Sequence, residues 1–167
     1  MRLLVIFAIL FFNNSLTFAQ QVCTVNEVKT EIIIHANSDS IWKILINTRD
    51  YSNWNPYIYK ITGIVKKGKI VSFRMKGNNA DRVFSAKILE LDSGKRFAWG
   101  GGLLFFLKVK HYFILVPIDE STTTLIQGEY WKGLFGKALG KNVYKDAYEN
   151  FVLMNAKLKQ LVEKNVD

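Results

Sequence analysis

The sequence is poor in residues that make covalent cross-links and metal sites. Its single cysteine is Cys23 and its two histidines are His35 and His111, which excludes an internal disulfide and leaves no His/Cys metal cluster. Neither a cysteine nucleophile nor a serine triad is recognisable. The glycine-containing stretches GNNADR and GGG lack the lysine and following helix of a phosphate cradle. We therefore expect no metal and no cofactor.

Long apolar runs are also scarce, and the clearest one lies at the N terminus. Arg2 precedes the apolar run Leu3 to Phe12, and Thr17-Phe18-Ala19 places small residues at the −3 and −1 positions of a cleavage site. This is the pattern of a secretory signal peptide, residues 1–19, cleaved after Ala19. An uncleaved anchor is the weaker alternative, because a membrane span needs roughly 20 apolar residues. Lipid attachment at Cys23 is a second, minor alternative. We expect an exported protein, periplasmic or extracellular.

The remaining chain is expected to form one domain, residues 28–165, after an N-terminal segment of residues 20–27. It contains no internal repeat, low-complexity tract or linker. Loss of Arg2 lowers the formal net charge of +9 by one, so the surface stays basic. Because the lysines are scattered and no aromatic residues alternate with them, we expect a solvated surface and no nucleic-acid partner. The sequence does not indicate an oligomeric state.

Apolar periodicity predicts a strand, a helix, an antiparallel meander and a long helix. The first strand is Val28 to His35, and Asn37-Ser38 can cap a helix that runs through Asn47. After a turn ending at Pro56, six extended segments follow: Tyr57 to Val65, Ile70 to Lys76, Arg82 to Leu91, Arg96 to Gly101, Val109 to Pro117 and Thr122 to Trp131.

Beyond Leu134 the apolar residues recur at helical spacing. They are Val143, Ala147, Phe151, Met154, Leu158 and Leu161. This amphipathic helix must cover an apolar surface, and the concave face of the sheet is the partner available.

Three stretches of the sequence resemble one superfamily. HANSDSIWKILINTRDYSNWNPYI is similar to its opening, HYFILVPIDESTTTLIQGEYWKGLFG to its last hairpin, and AYENFVLMNAKLKQLVE to its final helix. The resemblance is to the START-like superfamily of polyketide cyclase/dehydrase and lipid-transport proteins (SRPBCC). It implies an α+β helix-grip fold, in which a curved antiparallel sheet of about seven strands wraps around the C-terminal helix and two short helices follow strand 1. It also implies a cavity between sheet and helix, but it says less about function, because the fold hosts lipid carriers, receptors and cyclases.

Side-chain alternation predicts which residues face this cavity. A turn at Asp119-Glu120 places three residue pairs on the inner face and leaves Lys110 and Tyr112 outside; the pairs are Leu115 with Leu125, Phe113 with Gln127, and His111 with Glu129. The polar members could orient a ligand, could form an acid/base pair, or could make only a structural hydrogen bond at one end of the barrel. The full set of expected ligand-binding residues is Trp54, Tyr57, Phe73, Trp99, Leu103, Phe105, His111, Phe113, Gln127, Glu129, Trp131, Phe151 and Met154.

Two parts of this set have alternative interpretations. Trp54 and Tyr57 could form the cavity rim, or Trp54 could plug the end of the barrel beside the Asn55-Pro56 turn. The segment WGGGLLFFLKVKHYF raises a similar question, because pairing of Trp99 with His111 puts Leu103 to Leu107 at the connection between two strands. We expect Gly100 to Gly102 to be a hinge and Leu103 to Phe106 to be a cavity lip that also touches lipid, helped by Lys108 and Lys110. Alternatively, the apolar residues fold under the long helix.

The leading hypothesis is a non-catalytic exported protein that binds a hydrophobic small molecule, such as a lipid, an isoprenoid or an aromatic polyketide-like compound. This hypothesis includes a transient contact with a membrane surface. The alternative is a polyketide cyclase/dehydrase-like enzyme that uses His111 and Glu129 as an acid/base pair. A third hypothesis, a module that binds a protein partner, predicts Phe105 in a protein contact.

Overall fold

The structure is a computed structural model that describes residues 22–24, 26–77, 80–103, 105–135 and 140–164. The expected signal peptide, residues 1–19, and Leu104 of the expected lip lie outside these ranges.

Within the described residues, eight antiparallel strands form one sheet. They are β1 (Val22–Thr24), β2 (Glu27–Ile34), β3 (Ile58–Thr62), β4 (Ile70–Met75), β5 (Arg82–Asp92), β6 (Arg96–Leu103), β7 (Leu107–Pro117) and β8 (Thr123–Lys132). Their order is β1-β2-β8-β7-β6-β5-β4-β3, so β3 to β8 form the expected meander and β2 closes it by pairing with β8. The short β1 falls in the segment 20–27, for which no strand was predicted.

The helices also follow the expected order. Helix α1 (Ser38–Ile46) begins where the Asn37 side chain accepts a hydrogen bond from the Ser40 N–H at 2.9 Å, which satisfies one free donor of the first turn. A 3₁₀ turn (Thr48–Asp50) leads into the short helix α2 (Tyr51–Trp54). The Asn55 side chain then accepts hydrogen bonds from the next two free backbone N–H groups and turns the chain into β3.

Helix α3 (Lys141–Lys164) packs on the concave face of the sheet over only part of its length. Its last turns bury Leu158 and Val162, and its middle buries Phe151 and Met154. The apolar stripe begins earlier, but Val143 in the first turn is 40% exposed. The N-terminal turns of α3 therefore pack more loosely on the sheet, where the Tyr144 ring meets that of Trp131 in a T-shaped contact with centroids 5.1 Å apart.

The C-terminal end of α3 is tied to the end of β2. The Glu163 carboxylate accepts a hydrogen bond from the His35 N–H at 2.8 Å, and the Lys159 ammonium donates to the Ile33 carbonyl at 2.7 Å. Lys159 and Glu163 also form an ion pair. Partial burial acts to raise the pKa of Glu163, but the hydrogen bonds from His35 and Lys159 outweigh it and lower this pKa.

We expect Glu163→Gln to lower the free energy of unfolding by about 1 kcal/mol near neutral pH. A carboxyl whose pKa is lowered in the folded state stabilises the protein above its unfolded pKa of about 4.3, and this contribution is lost as the pH falls. Urea denaturation at neutral and acidic pH should therefore show a difference from wild type that shrinks below about pH 4. Glu149→Gln removes an exposed ion pair on the same helix and serves as the control. Equal losses of unfolding free energy in Glu163→Gln and Glu149→Gln would contradict a stabilising role for the hydrogen bonds of Glu163.

Candidate functional site

A cavity lies along strands β4 to β8 and extends beside the N-terminal half of α3. Its larger lobe has a volume of about 680 Å³ and a smaller lobe of about 230 Å³ adjoins it. Both lobes are lined by Met75, Arg82, Phe84, Trp99, His111, Glu129 and Trp131. The larger one extends along β5 and β6 to Gly102, and the smaller one extends along α3 from Val143 to Phe151. Among the described residues, α3 lines only the smaller lobe, and strands β4 to β8 line the larger one.

Three glycines form part of the wall of the larger lobe. The expected hinge at Gly100 to Gly102 is wrong, because all three are paired strand residues of β6, opposite Lys110, Val109 and Lys108. Gly102 has φ of +143° and a Cβ there would collide with the Leu107 carbonyl, so this position requires glycine. A Cβ on Gly101 would lie 3.3 Å from the Ser85 carbonyl oxygen. Gly101 shares side-chain parity with Trp99, so of the three it is the glycine whose missing side chain leaves room on the inner face.

Polar side chains on β7 and β8 form a continuous chain of hydrogen bonds on the inner face. The register is the expected one, with His111 opposite Glu129 and Phe113 opposite Gln127. The distance between His111 Nδ1 and Glu129 Oε2 is 3.0 Å. On the other side of the ring, Gln127 Nε2 lies 3.2 Å from His111 Nε2 and also donates to the Tyr57 hydroxyl. The chain thus links the cavity wall to the core.

The imidazole of His111 is held in place by its neighbours. The Glu129 carboxylate lies at Nδ1 and the Gln127 side-chain amide lies at Nε2. The ring is also held from both sides: it stacks on Trp99 with centroids 4.6 Å apart and meets the edge of Phe151 at 4.9 Å. Both ring nitrogens of His111 are therefore engaged by protein groups.

The inner end of this hydrogen-bonded chain, at Tyr57 and Met154, is buried. Burial raises the pKa of Tyr57, a hydrogen bond from Gln127 opposes this, and the nearby Glu129 charge raises it further, so its hydroxyl remains protonated at physiological pH. This hydroxyl donates to Met154 Sδ at 3.2 Å, and Asn55 Nδ2 donates to the same sulfur at 3.4 Å. Met154 thus provides an acceptor between the helix and the sheet.

The structure divides the expected ligand-binding residues into three groups. Six line the cavity: Tyr57, Trp99, His111, Glu129, Trp131 and Phe151. Five are buried and are not among the lining residues: Trp54, Phe73, Phe113, Gln127 and Met154. Two are exposed at the β6–β7 turn, outside the cavity: Leu103 and Phe105.

Of the two residues expected at either the cavity rim or the core, Trp54 lies in the core and Tyr57 lines the cavity. Trp54 packs edge-on against Tyr51, with ring centroids 4.9 Å apart, and lies in the core. Trp54 is therefore a core residue and is not among those that line the cavity. The ring of Tyr57, in contrast, reaches the smaller lobe.

The β6–β7 turn does not fold under α3. Leu103, Phe105 and Phe106 are exposed, which contradicts the alternative that they form core. The Phe106 ring stacks on that of Phe135, with centroids 5.8 Å apart, at the surface.

The sequence prediction missed several lining residues, of which Arg82 is the most informative. Arg82 pairs with Met75 at the start of β5 and shares side-chain parity with Phe84 and Ala86, so alternation along β5 could have identified it. It lines both lobes and has no ion pair within the described ranges. On α3, Asp146 and Asn150 add polar groups to the smaller lobe.

The described ranges contain no group of three or more His, Cys, Asp or Glu side chains placed to hold a metal ion. None of the helices in them is long and apolar enough to span a membrane.

Residues 26–163 match the family model described as "Polyketide cyclase / dehydrase and lipid transport". The chain belongs to this family. Among solved structures, a START superfamily protein from Mycobacterium smegmatis is 19% identical, with a TM-score of 0.68 over 83% of this chain and 98% of that one. The Zhui aromatase/cyclase from Streptomyces sp. R1128 is 16% identical, with a TM-score of 0.65 over 84% and 95% of the two chains.

Both structures establish the helix-grip fold of the family for this chain and, at such low identity, nothing finer. None of the curated proteins searched matches the sequence significantly.

We expect Gln127→Leu to lower the free energy of unfolding by about 1 to 3 kcal/mol, because it leaves His111 Nε2 and the Tyr57 hydroxyl without their amide partner. Chemical denaturation measures this loss. Gln160→Leu makes the same change at an exposed position of α3 and should have little effect. A Gln127→Leu variant as stable as wild type would show that the chain of hydrogen bonds does not support the fold.

Proposed function

We propose that this protein binds a hydrophobic small molecule, such as a lipid, an isoprenoid or an aromatic polyketide-like compound, without transforming it. The cavity itself carries the proposal. Its volume of about 680 Å³ lies within the range of roughly 300 to 1,000 Å³ that is usual for small-molecule sites. The family includes lipid transport in its description, which supports the same ligand class.

The lining residues of the cavity supply both the apolar surface and the polar groups of a small-molecule site. Trp99, Trp131 and Phe84 present aromatic surface, so burial of apolar ligand area would provide most of the binding free energy. The Glu129 carboxylate is partly exposed and can accept a hydrogen bond from a ligand hydroxyl. Arg82 lies at the exposed side of the cavity and can donate to a ligand oxygen. These polar groups would set the orientation of the ligand.

The hydrogen bonds of His111 favour binding over catalysis. A general acid or base must reach the proton that it transfers, either directly or through one water. In His111, Nδ1 faces Glu129 and Nε2 faces Gln127, so no ring nitrogen is directed at a ligand. The cyclase/dehydrase-like alternative would require this pair to rearrange.

Export completes the proposal. It rests on the N-terminal pattern of Arg2, the apolar run and the small residues before the cleavage site.

Native mass spectrometry of the gently purified mature protein tests ligand binding directly. We expect a discrete added mass that denaturation releases and that dissolves in organic solvent. Its structure would identify the ligand class. The absence of added mass, together with no binding of added lipids or aromatic compounds, would contradict the proposal.

A substitution that fills the cavity tests its location. Ala86 lines the larger lobe and is buried, so Ala86→Leu should weaken binding of the ligand, or of the apolar dye anilinonaphthalene sulfonate, by about tenfold. Ala156→Leu makes the same change on the exposed face of α3 and should leave binding unchanged. Equal affinities for the two variants would place the ligand elsewhere.

A pair of carboxylate substitutions separates binding from catalysis. We expect Glu129→Ala to weaken ligand binding, because the ligand loses a hydrogen-bond acceptor, and we expect wild type to leave the extracted ligand chemically unchanged. Mass spectrometry of the incubated ligand detects any product. Glu90→Ala, which removes a carboxylate paired with Lys110 on the outer face, is the control. Product formation that Glu129→Ala abolishes at unchanged affinity would instead establish the enzyme.

A further inference from the structure

Five large apolar side chains form an exposed surface beside the cavity, which we name the apolar tip. Leu103, Phe105 and Phe106 come from the β6–β7 turn, and Leu134 and Phe135 come from the chain just after β8. Their exposed fractions range from 42% to 81%. Clustered exposure of this kind marks interaction surfaces more often than a scatter of single residues does.

The two segments of the apolar tip are joined by main-chain hydrogen bonds. The Phe135 N–H donates to the Phe106 carbonyl at 2.8 Å, and the Leu134 N–H lies 3.4 Å from the Phe105 carbonyl oxygen. Gly133, with φ of +104°, allows this approach, because a Cβ there would collide with the Phe105 and Phe106 carbonyls. The tip is thus a built surface that directs apolar side chains outward.

The charges at the base of the apolar tip are all positive. Lys108 and Lys132 lie directly opposite each other on β7 and β8, and like charges in this arrangement repel. Neither has a carboxylate partner in the part of the chain that the structure describes; Lys132 lies 5.0 Å from the Tyr130 ring centre. The sequence has no Asp or Glu from residue 93 to 118 or from 130 to 145. This charge pattern suits an anionic partner.

A second copy of the chain is a poorer partner for this surface. A two-fold contact through the apolar tip would bring the lysine pairs of both copies together. The tip also consists of two short segments, whereas a stable protein interface buries about 800 Å² on each partner. An anionic lipid bilayer matches both the narrow apolar surface and the flanking lysines.

We propose that the apolar tip inserts into the interface of an anionic lipid bilayer, with Lys108 and Lys132 at the level of the lipid headgroups. Gly101, Gly102 and Val109, at the base of the tip, line the larger lobe of the cavity. Docking would therefore place the cavity beside the bilayer, where an apolar ligand can move between them without crossing water. Docking itself does not depend on the ligand, whereas this transfer rests on the proposed function.

Co-sedimentation with vesicles tests the docking. The probes are vesicles of phosphatidylcholine alone and of equimolar phosphatidylcholine and phosphatidylglycerol. We expect binding to the anionic vesicles only, and Phe105→Asp should weaken it by about tenfold or more. Ile64→Asp, at a 70% exposed position in the β3–β4 connection, is the matched control and should bind like wild type. All proteins must share one N terminus, because an uncleaved Leu3 to Phe12 would itself bind lipid.

The charge contribution is tested in the same assay. The double variant Lys108→Glu/Lys132→Glu should lose binding to anionic vesicles, whereas Lys66→Glu/Lys67→Glu, with the same change in net charge, should lose much less. Equal losses in the two double variants, or equal losses in Phe105→Asp and Ile64→Asp, would overturn the proposal. So would a wild-type dimer in analytical ultracentrifugation that Phe105→Asp makes monomeric, because a second copy would then cover the tip.

Native mass spectrometry separates this proposal from the proposed function. Phe105 does not line the cavity, so Phe105→Asp should retain its ligand while losing vesicle binding. A wild-type protein that binds vesicles but never carries or takes up a ligand would keep the docking surface and overturn the cavity function. A protein that holds ligand but does not bind anionic vesicles would overturn the docking surface and keep the cavity function.

Discussion

The packing of α3 against the concave face of the sheet determines where this protein has a core and where it has a cavity. From Phe151 onward the helix buries large apolar side chains, each of which stabilises the fold by about 1.5 to 3 kcal/mol when fully removed from water. The clamp of Glu163 and Lys159 holds the far end of the helix on β2. The first turns, in contrast, bury less of their surface, and the smaller lobe of the cavity lies beside them.

The hydrogen-bonded chain from Glu129 to Met154 lies at the boundary between these two regions. Inside the core an unpaired polar group would cost free energy, so each member of the chain relies on the next one. At the cavity end, Glu129 remains accessible while its partner His111 is held by Trp99 and Phe151. The same contacts that stabilise the core therefore orient a polar group toward a ligand.

Most of the fold, but only part of the site, could be predicted from the sequence. The pairing of His111 with Glu129 could be predicted from side-chain alternation and from the position of the turn between β7 and β8. A short turn fixes the register of a hairpin. The same logic applied to β5 would have found Arg82. Whether Met154 and Phe113 reach the cavity could not be predicted, because that depends on how far α3 stands from the sheet. The pairing of β1 was missed because a three-residue strand carries almost no periodic signal.

The aromatic wall of the cavity has an optical consequence. Two of the four tryptophans, Trp99 and Trp131, line both lobes, whereas Trp42 on α1 and Trp54 on α2 point into the core away from them. Indole emission shifts with the polarity of its surroundings, and displacement of water from the cavity changes the environment of the first pair only. The protein thus contains its own fluorescent reporter of cavity occupancy, and Trp99→Phe and Trp131→Phe would assign the signal to one side of the cavity or the other.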